Sequence, residues 1–217
     1  ISKRMRASVV ATGPVLARYG KVSFPHPGGC LIGARPVDLF IEGFQKMGAK
    51  VTLKNNTYFV EAKGGLRGAE FFLKNQSVTV TETFMMAGVL AKGTTVIKNA
   101  AMEPEIEEIA NFLNKCGAKI SGAGTPTITI KGGKLLSGKG RHYKTMPDRI
   151  DVGSFLILGA LAARELHITH CNPLHLHAPI EALRSAGVFI ETKKTEIIVR
   201  APSHLRPVDI KTHDPPP

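Results

Sequence analysis

Apolar positions along the chain switch repeatedly between a helical and an extended rhythm. Leu39, Phe40, Phe44 and Met47 recur at helical spacing, as do Ile106, Ile109, Phe112 and Leu113. Each run closes on a glycine and passes into a β-rich stretch: Gln45–Val51, Asn114–Ile120 and Arg184–Ile190 show the same figure. The glycines, Gly48, Gly117 and Gly187, stand 69 and 70 residues apart, so the pattern predicts three helices capped by glycine within an internal repeat. An earlier helix precedes each one, over 6–19 with a kink near Pro14, over 82–91 and over 153–163. Strands follow those helices at 21–24, 94–97 and 165–169. Paired strands follow the capped helices at 51–53 with 58–61, 119–121 with 127–130, and 188–192 with 196–199. A strand at 69–73 opens the second copy, making the unit β-α-β-α-β-β with the opening strand missing from the first copy. Helices alternating with hairpins predict an α/β (α+β) architecture with sheets around central helices; a plain α/β solenoid is the alternative. The glycine-capped helices carry apolar residues on more than one face and are expected inside the ring of sheets. Gly88 and Gly159 are expected to let helices approach closely.

Composition narrows the partners. With 43% hydrophobic residues among 217, the chain can bury a core. Its 29 Lys and Arg against 17 Asp and Glu leave a formal charge of +12, which favours anionic partners. Nucleic acid, acidic lipid and phosphorylated metabolites all qualify, and because the basic residues are spread out and no aromatic-rich basic stretch forms a stacking platform, nucleic acid ranks lower among them. Three cysteines, Cys30, Cys116 and Cys171, cannot all pair within the chain, and no secretory segment is recognisable; a reducing cytoplasm is expected. The longest apolar stretch, 155–163, is too short for a membrane span, so no membrane association is expected. The start at Ile1 and the Asp214-Pro215-Pro216-Pro217 end read as those of a fragment, and oligomeric state is left open.

The segment His26–Asp38 concentrates the chemistry. Two prolines and three glycines surround Cys30, which suits a loop of unusual backbone angles that presents bare N–H groups to an anion. Arg35 follows five residues after the thiol, where its charge would lower the thiol pKa or fork onto a phosphate or carboxylate. The residues alone leave open a mobile surface turn with an incidental cysteine.

Arg6-Ala7-Ser8, Gly13-Pro14, Ala17-Arg18, Pro27-Gly28-Gly29-Cys30 with 32–38, Gly93-Thr94-Thr95, Asn99-Ala100-Ala101, Glu103-Pro104-Glu105 and Pro147–Ile150 together resemble the UDP-N-acetylglucosamine 1-carboxyvinyltransferases, an enolpyruvyl transferase family. The resemblance runs over essentially the whole chain, and the cysteine loop is its most specific part. It implies an incomplete inside-out α/β barrel of the enolpyruvyl transferase type. It also implies transfer of the enolpyruvyl group of phosphoenolpyruvate to the 3-hydroxyl of UDP-N-acetylglucosamine with release of phosphate, the first committed step of peptidoglycan synthesis. No metal or organic cofactor is implied. In that family the reaction is an addition followed by an elimination, with the loop cysteine as general acid or adduct-forming thiol and as target of fosfomycin; Cys30 matches it. A thiol suits the role because its reference pKa of about 8.5 lies within tuning range of neutrality.

By the same resemblance Arg6 and Arg35 lie near the substrates, Arg35-Pro36-Val37-Asp38-Leu39 is a nucleotide-binding segment, and Asn75-Gln76-Ser77-Val78 a second UDP-sugar segment. Ser77 by itself reads equally as a turn residue. Phe40, where the family commonly has a polar residue, and Asn75, where many members have lysine, depart from the pattern. The family's N-terminal lysine and asparagine, its aspartate base and its later arginines have no counterpart in this chain, so the piece alone is expected to be inactive. The resemblance further implies that residues 1–144 are two units of the cysteine-bearing domain and 145–217 one unit of a second domain. The two would close over substrate with the cysteine loop as lid.

Other signals carry less. His167, His170, Cys171, His175 and His177 cluster without a standard zinc spacing, and solvated or core histidines are the favoured reading over a metal site. Cys116 is expected buried in its helix, while Glu103, Glu105, Asp148 and Arg149 read first as helix-start charges. The rival functions are the related transferase acting on shikimate 3-phosphate, which lacks the Pro-Gly-Gly-Cys signature, and a non-catalytic anion- or RNA-binding module.

Overall fold

The protein was analysed as a computed structural model, which describes residues 4–28 and 37–210. It divides into two compact units, one running through Tyr143 and the other starting at Lys144.

In the first unit a 3-10 helix, Arg6–Val9, leads into α1 (Thr12–Tyr19) and β1 (Lys21–Pro25). Then come α2 (Asp38–Lys46), β2 (Lys50–Lys54) and β3 (Thr57–Glu61), with the strands in the antiparallel order β1-β3-β2. The expected kink at Pro14 is instead a break before α1. Pro14 sits in the first turn of α1, where a missing N–H costs no helical bond. The second copy runs β4 (Glu70–Phe72), α3 (Val78–Leu90), β5 (Thr94–Lys98), α4 (Pro104–Lys115), β6 (Ile120–Ser121) and β7 (Thr127–Lys131). Its sheet has the order β4-β5-β7-β6, parallel only between β4 and β5. The second unit repeats the figure without an opening strand: α5 (Arg149–Ala162), β8 (Leu166–Thr169), a 3-10 turn at Pro173–Leu176, α6 (His177–Ser185), β9 (Phe189–Lys193) and β10 (Glu196–Arg200). The order β8-β10-β9 matches β1-β3-β2.

The three capping glycines behave alike. Gly48, Gly117 and Gly187 have φ of +86°, +103° and +94°, a region that favours a residue without Cβ. In each case the glycine N–H and the next N–H turn back onto the helix: Gly48 to Gln45 O and Ala49 to Phe44 O, Gly117 to Asn114 O and Ala118 to Leu113 O, Gly187 to Arg184 O and Val188 to Leu183 O. This is the Schellman arrangement, and it delivers the chain directly into the hairpin.

The capped helices are not the central ones. α2 buries Phe40, Gly43 and Phe44, α4 buries Ile106 and Ala110, and α6 buries Ile180, a single stripe each. α3 is the enclosed helix, burying Val80, Thr81, Thr83, Phe84, Met85, Ala87, Gly88 and Val89, because α1, α2, α4, β5 and β7 all pack on it. Phe84 meets Phe44 edge-on at 5.3 Å and stacks on Phe71 at 4.9 Å. The close helix contacts come from α1 and α2: a Cβ at Gly13 would run into the Thr83 carbonyl, and one at Gly43 into the Phe84 ring. Gly88 lies instead against Thr95 and Ile130 of its own sheet, and Gly159 against Leu166 and Val199 of its own. The second unit has a separate core of Leu156, Ala160, Cys171, Leu176, Ile180, Val188, Ile190, Ile197 and Val199. Among the described residues no helix is long and apolar enough to cross a membrane.

Candidate functional site

Cys30, Arg35 and Pro36 lie outside the described residues. The remainder of that segment opens α2: Val37 is the N-cap and is buried, Leu39 packs partly on the core, and Asp38 is exposed in the first turn. Only Asp38 of the three therefore presents its side chain to solvent. Phe40 is a core residue, 2% exposed, which accounts for its being apolar. Arg6 begins the 3-10 helix, and both that helix and α2 pack on α3.

Asn75, Gln76, Ser77 and Val78 form the entry to α3. Asn75 is exposed, and Ser77 stands not in a turn but in extended backbone as the N-cap, its hydroxyl accepting the Val80 N–H at 3.4 Å. Gln76 donates Nε2 to Ala100 O at 3.3 Å, while its Oε1 is buried with no partner. Opposite lies the turn after β5. Asn99 adopts φ +55° and donates Nδ2 to Leu73 O at 2.8 Å, and the Ala101 N–H donates to Thr81 Oγ1 at 3.1 Å.

Beside this turn three carboxyl groups gather, which the sequence reading did not bring together. Burial raises the pKa of Glu82 above the ordinary glutamate value, and repulsion from Glu105 and then Glu103 adds to it. The available signal was a lone acid in an otherwise uncharged, apolar helix. Glu103 occupies the N-cap position of α4 but makes no side-chain cap bond, and its Oε2 is buried without a partner; capping here is by charge alone. Asp148 does cap α5, accepting N–H bonds from Ile150 at 2.8 Å and Asp151 at 3.2 Å. Cys116 is the C-cap residue of α4, outside the helix body, and is only partly buried.

The histidines engage separate partners. His167 lies between Glu165 and Glu196, His175 contacts Asn172, and Cys171 is buried in the second core. Among the described residues no three His, Cys, Asp or Glu side chains converge as a metal site would require.

Comparison with known proteins narrows the field. UDP-N-acetylglucosamine 1-carboxyvinyltransferase of Acidobacterium capsulatum is 46% identical over 218 residues, and UDP-N-acetylglucosamine 1-carboxyvinyltransferase 1 of Staphylococcus aureus is 43% identical over 209. These alignments take in 100% and 96% of this chain but 49% of each relative, so the chain spans about half the length of the curated relatives it matches. Among solved structures, the enolpyruvyl transferase NikO from Streptomyces tendae superposes with a TM-score of 0.71 at 21% identity, over 89% of this chain and 47% of that one. EPSP synthase from Acinetobacter baumannii gives 0.67 at 19%, over 94% and 48%. These two establish the fold, that of the enolpyruvyl transferases. The profile of one family matches residues 1–216, and with the repeated unit and the shared fold it shows that the chain belongs to the EPSP synthase (3-phosphoshikimate 1-carboxyvinyltransferase) family.

Proposed function

We propose that the polypeptide carrying this chain transfers the enolpyruvyl group of phosphoenolpyruvate to the 3-hydroxyl of UDP-N-acetylglucosamine and releases phosphate. The observation that carries this reading is 43–46% identity along nearly the whole chain to relatives named for that reaction. The family profile is named for the shikimate 3-phosphate enzyme, but the EPSP synthase structure shares only 19% of residues, and the Pro27-Gly28-Gly29-Cys30 loop favours the nucleotide sugar.

The chemistry asks for an acid that protonates the methylene carbon of phosphoenolpyruvate while the sugar hydroxyl adds to the adjacent carbon. The hydroxyl gives up its proton to a base as it adds, and loss of phosphate together with a proton from the newly formed methyl group then restores the double bond. Cys30 takes the acid role, or forms the thiol adduct, and Arg35 and Arg6 clamp anionic groups with planar guanidinium forks. Residues 35–39 and Asn75-Gln76-Ser77-Val78 hold the nucleotide sugar, with the unpartnered Gln76 Oε1 an acceptor suited to a ligand donor. Residues 1–144 are then two units of the cysteine-bearing domain and 145–217 one unit of its partner. The reaction belongs to peptidoglycan synthesis in the cytoplasm, serves cell-wall growth and division, and makes Cys30 the target of fosfomycin. It uses no cofactor, nucleic acid or membrane partner.

The test is phosphate release from phosphoenolpyruvate by the natural polypeptide that carries this chain, with and without UDP-N-acetylglucosamine, beside its Cys30→Ala variant. Sugar-dependent release that falls by about a hundredfold or more in the variant is expected, the range of a lost general acid. Sugar-dependent release that survives would remove Cys30 from the chemistry. Release with shikimate 3-phosphate alone would move the chain to the rival transferase.

A further inference from the structure

The parallel ladder between β4 and β5 ends in an unusual way. Its last backbone bond runs from Leu73 N–H to Lys98 O at 3.0 Å. The next residue, Asn99, turns to φ +55°, the Ala100 N–H that would continue the ladder goes instead to Pro126 O at 3.0 Å, and the Asn99 side-chain amide supplies the following bond, to Leu73 O at 2.8 Å. Asparagine tolerates that backbone region better than other residues with a side chain, and here the side chain also serves as a ladder donor. The next two residues continue the join: Ala100 O accepts from Gln76 Nε2 at 3.3 Å, and the Ala101 N–H donates to Thr81 Oγ1 at 3.1 Å. Thr81 is fully buried and Ala101 nearly so, which puts the last of these bonds out of reach of water.

Three consecutive residues thus grip three points: Leu73 and Thr81, which bracket Asn75–Val78, and Gln76 within it. Helix entries rest on few bonds of their own, since the first N–H groups lack helical partners. Ser77 supplies one cap bond, and the turn after β5 adds the three bonds just described.

We infer that the Asn99–Ala101 turn is a positioning element for the nucleotide sugar, with Asn99 and Thr81 as its key side chains. They set the angle and depth of Asn75–Val78 without touching the substrate. This rests on the assignment of that segment to the nucleotide sugar in the proposed function. Asn99→Gly keeps the positive φ and deletes the donor, so it separates the hydrogen bond from the backbone geometry. Thr81→Val deletes the buried acceptor, and Thr81→Ser restores it.

The experiment is steady-state kinetics of the natural polypeptide with both substrates, together with amide hydrogen exchange. In Asn99→Gly and Thr81→Val the KM for UDP-N-acetylglucosamine should rise about tenfold, the scale of one buried hydrogen bond, with KM for phosphoenolpyruvate and kcat within about twofold. Thr81→Ser should restore the wild-type KM, and exchange at Val80 and Ala101 should quicken in the two impaired variants. Unchanged KM for the sugar with quickened exchange would make the turn purely structural and overturn the inference, as would equal losses for both substrates. A wild type with no sugar-dependent turnover would instead overturn the functional reading itself.

Discussion

His167 shows what a single side chain adds to a sheet that the apolar pattern cannot reveal. Both ring nitrogens face carboxylates, Nε2 to Glu165 at 2.8 Å and Nδ1 to Glu196 at 2.9 Å. Carboxylates only accept, so both bonds require the doubly protonated imidazolium. The Glu165 bond, then the Glu196 bond, holds the His167 pKa above that of a free imidazole, and Glu165 is held below the usual carboxylate value by His167 first and Arg200 second. Because the folded value exceeds the unfolded one of about 6.5, the stabilisation is complete below that pH and is lost as pH rises through the folded value. Denaturant unfolding followed across this range should show a loss of stability with rising pH that His167→Gln removes; identical pH profiles for the two proteins would sink the assignment. The sequence set Glu165 two positions from His167 but could not bring in the second carboxylate, since Glu196 lies 29 positions away and is placed there only by strand register.

At the scale of elements, legibility followed the reach of the signal. Capped helices and hairpins are local, and Gly48, Gly117 and Gly187 marked all three junctions, because a φ of +86° to +103° favours glycine strongly whatever surrounds it. Which helix is central depends on neighbours distant in sequence. α2 and α4 showed enough apolar residues to pass for enclosed helices, whereas α3 owes its burial to contacts from every side. The roles of the small residues were misplaced for the same reason: Gly88 and Gly159 seat helices on their own sheets, while Gly13 and Gly43 make the helix contacts. Gly43→Ala pushes a methyl group into a fully buried aromatic ring and should cost about 1–3 kcal/mol in chemical denaturation. A loss no larger than that of an exposed control such as Ser154→Ala would show that the α2–α3 contact is slack. Within the candidate site, the Asn75–Val78 entry was readable as a motif, but the grip of Asn99 and the neighbourhood of Glu82 were not, being tertiary facts.

For the molecule as a whole, α3 and α5 occupy the same place in the repeat with unequal surroundings. α3 is covered throughout, yet α5 leaves Ile150, Phe155, Ile157, Leu158 and Leu161 each about half exposed or more. Ile150, Ile157, Leu158 and Leu161 recur at helical spacing, so the exposed residues form a continuous stripe. The 217-residue chain should therefore self-associate as its concentration rises, and Leu158→Glu with Leu161→Glu should reduce this by an order of magnitude or more in sedimentation, with the far-ultraviolet spectrum unchanged. A wild-type chain monomeric at all concentrations would show that the stripe is tolerated by water. The glycine junctions bear on something other than the finished structure, namely the order in which it forms. Each joins a helix to a hairpin with almost no intervening chain, so contacts across it close loops of a few residues while the sheet and helix packing must wait for distant partners. Every copy of the unit thus holds a local pairing whose closure costs little chain entropy, and the three give the chain three starting points instead of one.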